Sequence, residues 1–320
     1  MESNTTQPIE MKRVIFFLIF AFGIAWATAY VIYRNGGLAN GPMLAPGIPL
    51  ALLLLAGPYM FAPTIAHVLT RLLTREGWSG TTLWPRFRHA WKYYLLAWVL
   101  PGILTVIGGA CFFVFFPHLF DPALTLVTSQ NQAVGGLFAG LQPWQMMLAG
   151  TLLGIALAPI NLFATFGEEF GWRAYLLQKL LPLGRQNALV LMGLIWGVWH
   201  WPVIFMGYEY GSAYPGWPWA GPLLFIWVTF GLGTFLAWVA LRSGSVWPAA
   251  LGHAAINAIA GLSLMVLVKD AQYNPMLGPT PVGIFGGLGF TILAIALYLK
   301  EDAWQQVGDV QPTQIEDHRD

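Results

Sequence analysis

Long apolar stretches follow one another along this chain with little between them, and that pattern limits what it can fold into. The stretches are residues 14–33, 44–73, 90–116, 144–166, 187–206, 220–241, 246–268 and 282–299. Inside hydrocarbon every backbone N–H and C=O must find a partner within the protein, which an α-helix provides segment by segment. Roughly 20 helical residues cross the apolar layer. Hydrophobic residues make up 57% of the chain and charged residues only 9%. A soluble domain carries about a quarter charged residues, so this chain cannot cover a water-facing surface. A transmembrane β-barrel would show shorter, alternating segments. The expectation is an all-α, polytopic integral membrane protein with about eight transmembrane helices. It forms one membrane domain over residues 1–320. Residues 1–13 are a polar N-terminal segment, and the polar tail 301–320 is expected to be disordered.

The loops give an orientation. With the N-terminus cytoplasmic, every Lys and Arg except Arg34 and Lys269 falls on the inner side of an eight-span arrangement, as the positive-inside rule requires. Both termini are then cytoplasmic, in a plasma membrane or, for a bacterium, the inner membrane. The first apolar run is too long for a signal-peptide core, and no small-residue cleavage site follows it. Residues 71–92 form a basic, Trp-containing loop suited to anionic headgroups. Residues 207–219, rich in aromatics, Gly and Pro, read as an interfacial aromatic belt, with a substrate-gating loop as the alternative. The single Cys111 excludes an intrachain disulfide and reads as a small buried hydrophobe. A net charge of +1 without a basic cluster gives no support to nucleic acid as a partner. The bilayer is the partner this composition requires.

Against this background Glu168-Glu169-Phe170-Gly171-Trp172-Arg173 stands out, because charges inside apolar spans are costly and mark function by default. On a helix Glu169 and Arg173 are i and i+4, in the favourable orientation for an ion pair. Glu168 is rotated about 100° away. One acid is compensated and the other is left free, and a carboxylate in an apolar site suits a general base. Two further spans carry Trp196-Gly197-Val198-Trp199-His200 and His253-Ala254-Ala255-Ile256-Asn257. His253 and Asn257 share a helix face, and Ala249, Ala250, Gly252, Ala254, Ala255 and Ala258 permit close helix packing around them. Two of the six His thus lie deep in spans. Glu with two His can activate a water, directly or through a metal, and His with Asn can donate to an oxyanion. That is equipment for peptide-bond hydrolysis. The sequence has no G-x-S-x-G, no H-E-x-x-H, no P-loop, and no Cys with a base to pair with.

The E-E-x-x-x-R, aromatic-x-x-x-His and His-x-x-x-Asn motifs, each in a membrane helix, resemble the CAAX-protease and bacteriocin-processing (Abi) family of intramembrane proteases. That family includes the Ras-converting CAAX endopeptidases and the lysostaphin-resistance-type proteins. The resemblance covers residues 144–268, the expected catalytic core. It implies that Glu168 activates water, that His200 shares that water, and that His253 and Asn257 stabilise the oxyanion. Glu169 and Arg173 are implied as supporting residues. Glu168, His200 and His253 could ligate Zn with an open fourth position, or hold a bare water without metal. Trp196 stands where the family usually has Phe, a change that keeps an aromatic ring.

The function expected is intramembrane cleavage of a membrane-associated or amphiphilic peptide or protein, at a site opening toward the cytoplasm. The alternatives are a non-catalytic membrane scaffold, regulator or bacteriocin-immunity-type protein on the same fold, and a proton-coupled transporter. The absence of an internal repeat counts against the last. Depth is the difficulty. At 1.5 Å per residue, His200 lies about 20 Å and His253 about 12 Å from the inner face, with Glu168 nearer the edge. The three converge only if the motif helix dips into the membrane after a break at Pro159, or if the fifth span starts later.

Overall fold

The computed structural model describes residues 9–307. Residues 1–8 and 308–320 lie outside the described part, and with them most of the tail expected to be disordered. The architecture is a bundle of helices. We number them α1 (Met11–Arg34), α2 (Leu50–Leu73), α3 (Phe87–Phe115), α4 (Thr125–Ala133), α5 (Pro143–Leu183), α6 (Arg185–Trp199), α7 (Trp201–Phe205), α8 (Ala220–Ser243), α9 (Trp247–Ile259) and α10 (Leu288–Leu299). A two-stranded hairpin, Met43–Ala45 with Ile48–Pro49, precedes α2. Beyond α10, Asp302–Val307 form a 3-10 turn, with the Trp304 indole donating to the Leu297 carbonyl at 2.8 Å.

Among the described residues, six helices are long and apolar enough to cross a membrane: α1, α2, α3, α5, α8, and α9 with its continuation to Val266. A multi-pass helical membrane protein follows from this. The expected count of eight is not reached by length. The 187–206 stretch is divided into α6, 15 residues long, and the short α7. The 282–299 stretch yields only the 12 residues of α10, about 18 Å of helix against a core of about 30 Å.

Three irregularities place the motifs. Pro58 within α2 removes a backbone donor, and residues Leu55–Tyr59 wind as a π segment with Gly57 outside helical geometry. In α5, Ala158–Asn161 wind as a 3-10 segment around Pro159, so the break expected at that proline is present. Directly after the Glu-Glu pair, Trp172–Leu176 form a π turn, a departure that often accompanies functional sites. Between α6 and α7 the helix stops at His200, where Pro202 occupies the first turn of α7.

Close approach depends on missing side chains. A Cβ on Gly171 would lie 2.3 Å from the Pro63 carbonyl carbon, and one on Gly197 2.7 Å from Ile226 Cα. Gly171 therefore lets α2 seat against the acidic motif, and Gly197 lets α6 seat against α8. Helix α8 is the centre of the core, with Phe235, Leu236 and Val239 fully buried. The bundle exterior is apolar: Leu148, Leu152 and Ile160 on α5, and Val99, Ile103 and Val106 on α3, all face outward.

Candidate active site

The bundle brings the three motifs together from α5, α6 and α9. Glu168, Glu169 and Arg173 are buried on α5. The Arg173 guanidinium donates from Nη1 to Glu169 Oε1 at 2.9 Å, the i, i+4 pair that the spacing predicts. It also lies over the Trp196 ring, 4.3 Å from the centroid. The same Glu169 oxygen receives His253 Nδ1 at 2.9 Å. Glu169 is thus a bridge between α5 and α9 and not merely the partner of Arg173. Its other oxygen is buried without a protein partner.

Glu168 points away from this pair, as the helical rotation requires. Its Oε2 accepts the Trp196 indole N–H at 2.8 Å. Trp196 replaces the ring of a Phe and also supplies an N–H donor that Phe lacks. His200 sits where α6 ends, with Nδ1 at 2.8 Å from the Trp196 carbonyl. A carbonyl can only accept, so Nδ1 carries the proton and Nε2 of a neutral ring is left as an acceptor. The Trp196 ring contacts both histidines edge-on, with centroids 5.7 Å from His200 and 5.5 Å from His253.

Glu168, His200, His253 and Asn257 line one cavity of about 110 Å³. A water's share of liquid volume is about 30 Å³, so the space accepts roughly three waters. The small residues of α9 act as the sequence suggests: a Cβ on Gly252 would lie 3.0 Å from a Leu236 methyl and 3.4 Å from Ala97 Cβ.

Among the described residues no three His, Cys, Asp or Glu side chains are grouped closely enough to hold a metal ion. The expected set of Glu168, His200 and His253 is brought to one cavity but not to one ligation point. Each of the three makes a protein contact through one atom, Glu168 Oε2, His200 Nδ1 and His253 Nδ1, and among the described residues the second oxygen or nitrogen of each makes no hydrogen bond to protein. No step below is routed through a metal.

The cavity holds more than the motifs announce. Tyr59, Tyr208 and Glu209 also line it. Tyr59 donates its hydroxyl to the Trp199 carbonyl at 2.8 Å. Residues 207–219, read as an aromatic belt, therefore contribute two polar side chains to the site wall. Glu209 is solvent-exposed where it lines this wall. It lies outside the spanning helices, and desolvation pushes its carboxyl up to about 7, against the lowering effect of a hydrogen bond from Tyr208. A signal was present in the sequence: Glu209 is the one acidic residue between Glu169 and Asp270.

A third histidine, His67, is also buried in a span, beyond the two that the motifs single out. Its Nδ1 lies 2.9 Å from the Phe170 carbonyl, and its Nε2 accepts from Arg71 Nε at 2.7 Å. It braces α2 against the back of the acidic motif and takes no part in the cavity.

Residues 150–259 match the family model described as type II CAAX prenyl endopeptidase Rce1-like. The matched span contains all three motifs, and the family is the one the motifs resemble. A CAAX prenyl protease 2 of Methanococcus maripaludis is 29% identical over 151 residues, covering 46% of this chain and 51% of the relative. The chain thus spans about half the length of the curated relative it matches.

Proposed function

We propose that this chain, with its Rce1-like region at residues 150–259, is an intramembrane endopeptidase. In this reading it hydrolyses a peptide bond with a glutamate-activated water. The observation that carries the reading is that Glu168, His200, His253 and Asn257, from three separate helices, line one cavity. The reading also takes α6 and α10 as completing eight crossings, with both termini cytoplasmic.

The chemistry follows from the free valences. Glu168 accepts a proton from water through the oxygen not held by Trp196. His200 Nε2 accepts a hydrogen bond from the same water and orients it. The hydroxide attacks the scissile carbonyl carbon, and its oxygen becomes an oxyanion. The Asn257 amide donates to that oxyanion, and the His253 ring, held through Nδ1 by Glu169, flanks it. The Glu169 carboxyl lies directly behind that ring. Preorganised donors of this kind are worth about 10²–10³ in rate each. Glu168 returns the proton to the leaving nitrogen, the C–N bond breaks, and the products are a carboxylate and an amine. Arg173 and Glu169 hold the ring of His253 and the face of Trp196 in place.

An apolar groove of about 330 Å³ lies between α4, α5 and the end of α9, lined by Val127, Met146, Gly154 and Met265. Its wall and the catalytic cavity share segment 256–261. The apolar part of an amphiphilic substrate fits there. The substrate class in this reading is a membrane-associated peptide or protein of the CAAX type.

The test is cleavage of a peptide panel, prenylated and unprenylated, by the purified protein, with and without chelator. Glu168→Ala and His200→Ala each abolish cleavage while the protein elutes and melts as the parent does. Full activity from either variant overturns the reading.

A further inference from the structure

Tyr208 and Glu209 are polar residues of the cavity wall that the hydrolysis above leaves unused, and Glu209 is the ionisable acid among such residues. Their backbone is tightly set. Gly207, Glu209 and Gly211 all lie in the left-handed region, with φ of +94°, +66° and +69°. For a residue with a Cβ this costs about 1–2 kcal/mol, and neighbouring contacts hold it. Tyr208 N–H donates to the Val203 carbonyl at 3.0 Å, and Gly211 N–H to Gly207 at 3.0 Å. The buried Tyr210 donates its hydroxyl to the Val282 carbonyl at 2.8 Å. The turn is pinned on both sides, and its Tyr208 and Glu209 side chains line the cavity.

Charge separates this acid from the other two. Glu169 is compensated by Arg173 and His253, and Glu168 accepts the Trp196 N–H. Glu209 has the Tyr208 hydroxyl, and among the described residues no Lys, Arg or His makes an ion pair with it. A carboxylate that lines a low-dielectric cleft without a counterion draws a cation arriving with a ligand to that wall. The cavity is shared with Glu168, and Tyr208 lies close enough to Glu168 to respond to its charge. A cation held at Glu209 therefore sits beside the reacting groups.

We propose that Glu209 is a specificity-determining residue that binds the ammonium or guanidinium of a substrate Lys or Arg close to the scissile bond. This rests on the peptidase reading of the same cavity.

The experiment uses the purified full-length chain in detergent. A single Lys is walked through the positions around the scissile bond of an N-acetylated peptide, each peptide having a norleucine twin. At pH 8 the expected result is one position where Lys raises kcat/KM at least 10-fold over norleucine. Glu209→Gln brings that ratio to within twofold of unity, and Glu209→Lys turns the preference toward Glu at the same position. Thermal unfolding checks that each variant keeps the fold. No preference in the parent at any position, or a preference that survives in Glu209→Gln, overturns the proposal. Binding of the same twins, read by fluorescence anisotropy, tests the subsite whether or not the bond is cut. Failure to cleave any peptide defeats the peptidase reading, whereas equal binding of the twins to the parent defeats the subsite.

Discussion

Helix α5 carries charge in two places, around Glu168 and Lys179, about three turns apart, and uses it in opposite ways. At Lys179 the charges close on one another. Glu76 receives Lys179 at 2.6 Å, Arg13 at 3.4 Å and Arg71 at 3.7 Å, with the Tyr175 hydroxyl donating to it at 2.9 Å. Lys179 reaches on to Glu10 at 3.0 Å. This network ties the ends of α1, α2 and α5. At Glu168 the same residue types are left open. Glu169 has a buried oxygen and Arg173 a buried Nε without protein partners, and Glu168, both imidazoles and Asn257 face a cavity. Residue type does not separate a structural cluster from a reactive one. In the peptidase reading, what separates them is whether protein or substrate completes the remaining valences.

The sharpest way to break the comparison is Glu168→Gln. It keeps volume and hydrogen-bonding shape and removes only the base. Loss of a general base costs about 10²–10⁴ in rate, so kcat on a cleavable peptide falls at least a hundredfold while the thermal midpoint stays close to the parent's. A large fall in Tm with modest loss of rate would place Glu168 with the structural cluster instead.

Glu169→Ala probes the boundary between the two behaviours. It strands Arg173 in the core and releases His253 from α5. Removing one member of a buried pair costs about 3–5 kcal/mol, so both Tm and activity fall. Urea or thermal unfolding in detergent, read beside kcat, tests this. Unchanged stability would mean that the Arg173 pair contributes nothing to the fold.

Trp196→Phe restores the residue usual in the family and removes only the indole donor. A hydrogen bond to a charged group is worth about 1.5–3 kcal/mol, so kcat/KM falls about 10- to 100-fold. The ring contacts with Arg173 and both histidines persist. A variant as active as the parent would show that Glu168 needs no donor on that side.

Much of this site was legible in the sequence, for reasons specific to each residue. The i, i+4 spacing of Glu169 and Arg173 dictated their pairing, and the rotation between adjacent helical residues dictated that Glu168 would turn elsewhere. The small residues of α9 announced close packing before any contact was known. What could not be read was tertiary. Nothing local says that the Trp196 indole reaches an acid 28 positions earlier, or that one oxygen of Glu169 serves both Arg173 and His253. Hydropathy made 187–206 a single span, because it does not register a helix stopping at His200 before Pro202. The 207–219 loop read as an interfacial belt because its aromatics dominate its composition. Its single acid, which lines the cavity from a left-handed turn, carried too little weight in that average.

The smallest effect belongs to the closed cluster. Glu76 lies outside the spanning helices. Burial raises its carboxyl's proton affinity, but the hydrogen bonds from Lys179 and Tyr175 and the charge of Arg71 outweigh it and hold the carboxyl below its ordinary value of 4.5. A depressed folded value means stability that is fully present above 4.5 and is lost as pH falls through the folded value beneath it. Partly exposed pairs are screened, so the network is worth about 1 kcal/mol. Glu76→Gln is therefore expected to lower Tm by a few degrees at pH 7, and the gap to the parent should close as both are taken to about pH 3. Peptide cleavage at pH 7 should differ little between the two, since Glu76 is remote from the cavity lining. A Tm gap that persists at pH 3 would show that shape, and not charge, holds this end of the bundle. A loss of rate as large as that of Trp196→Phe would mean that the two clusters on α5 are one unit.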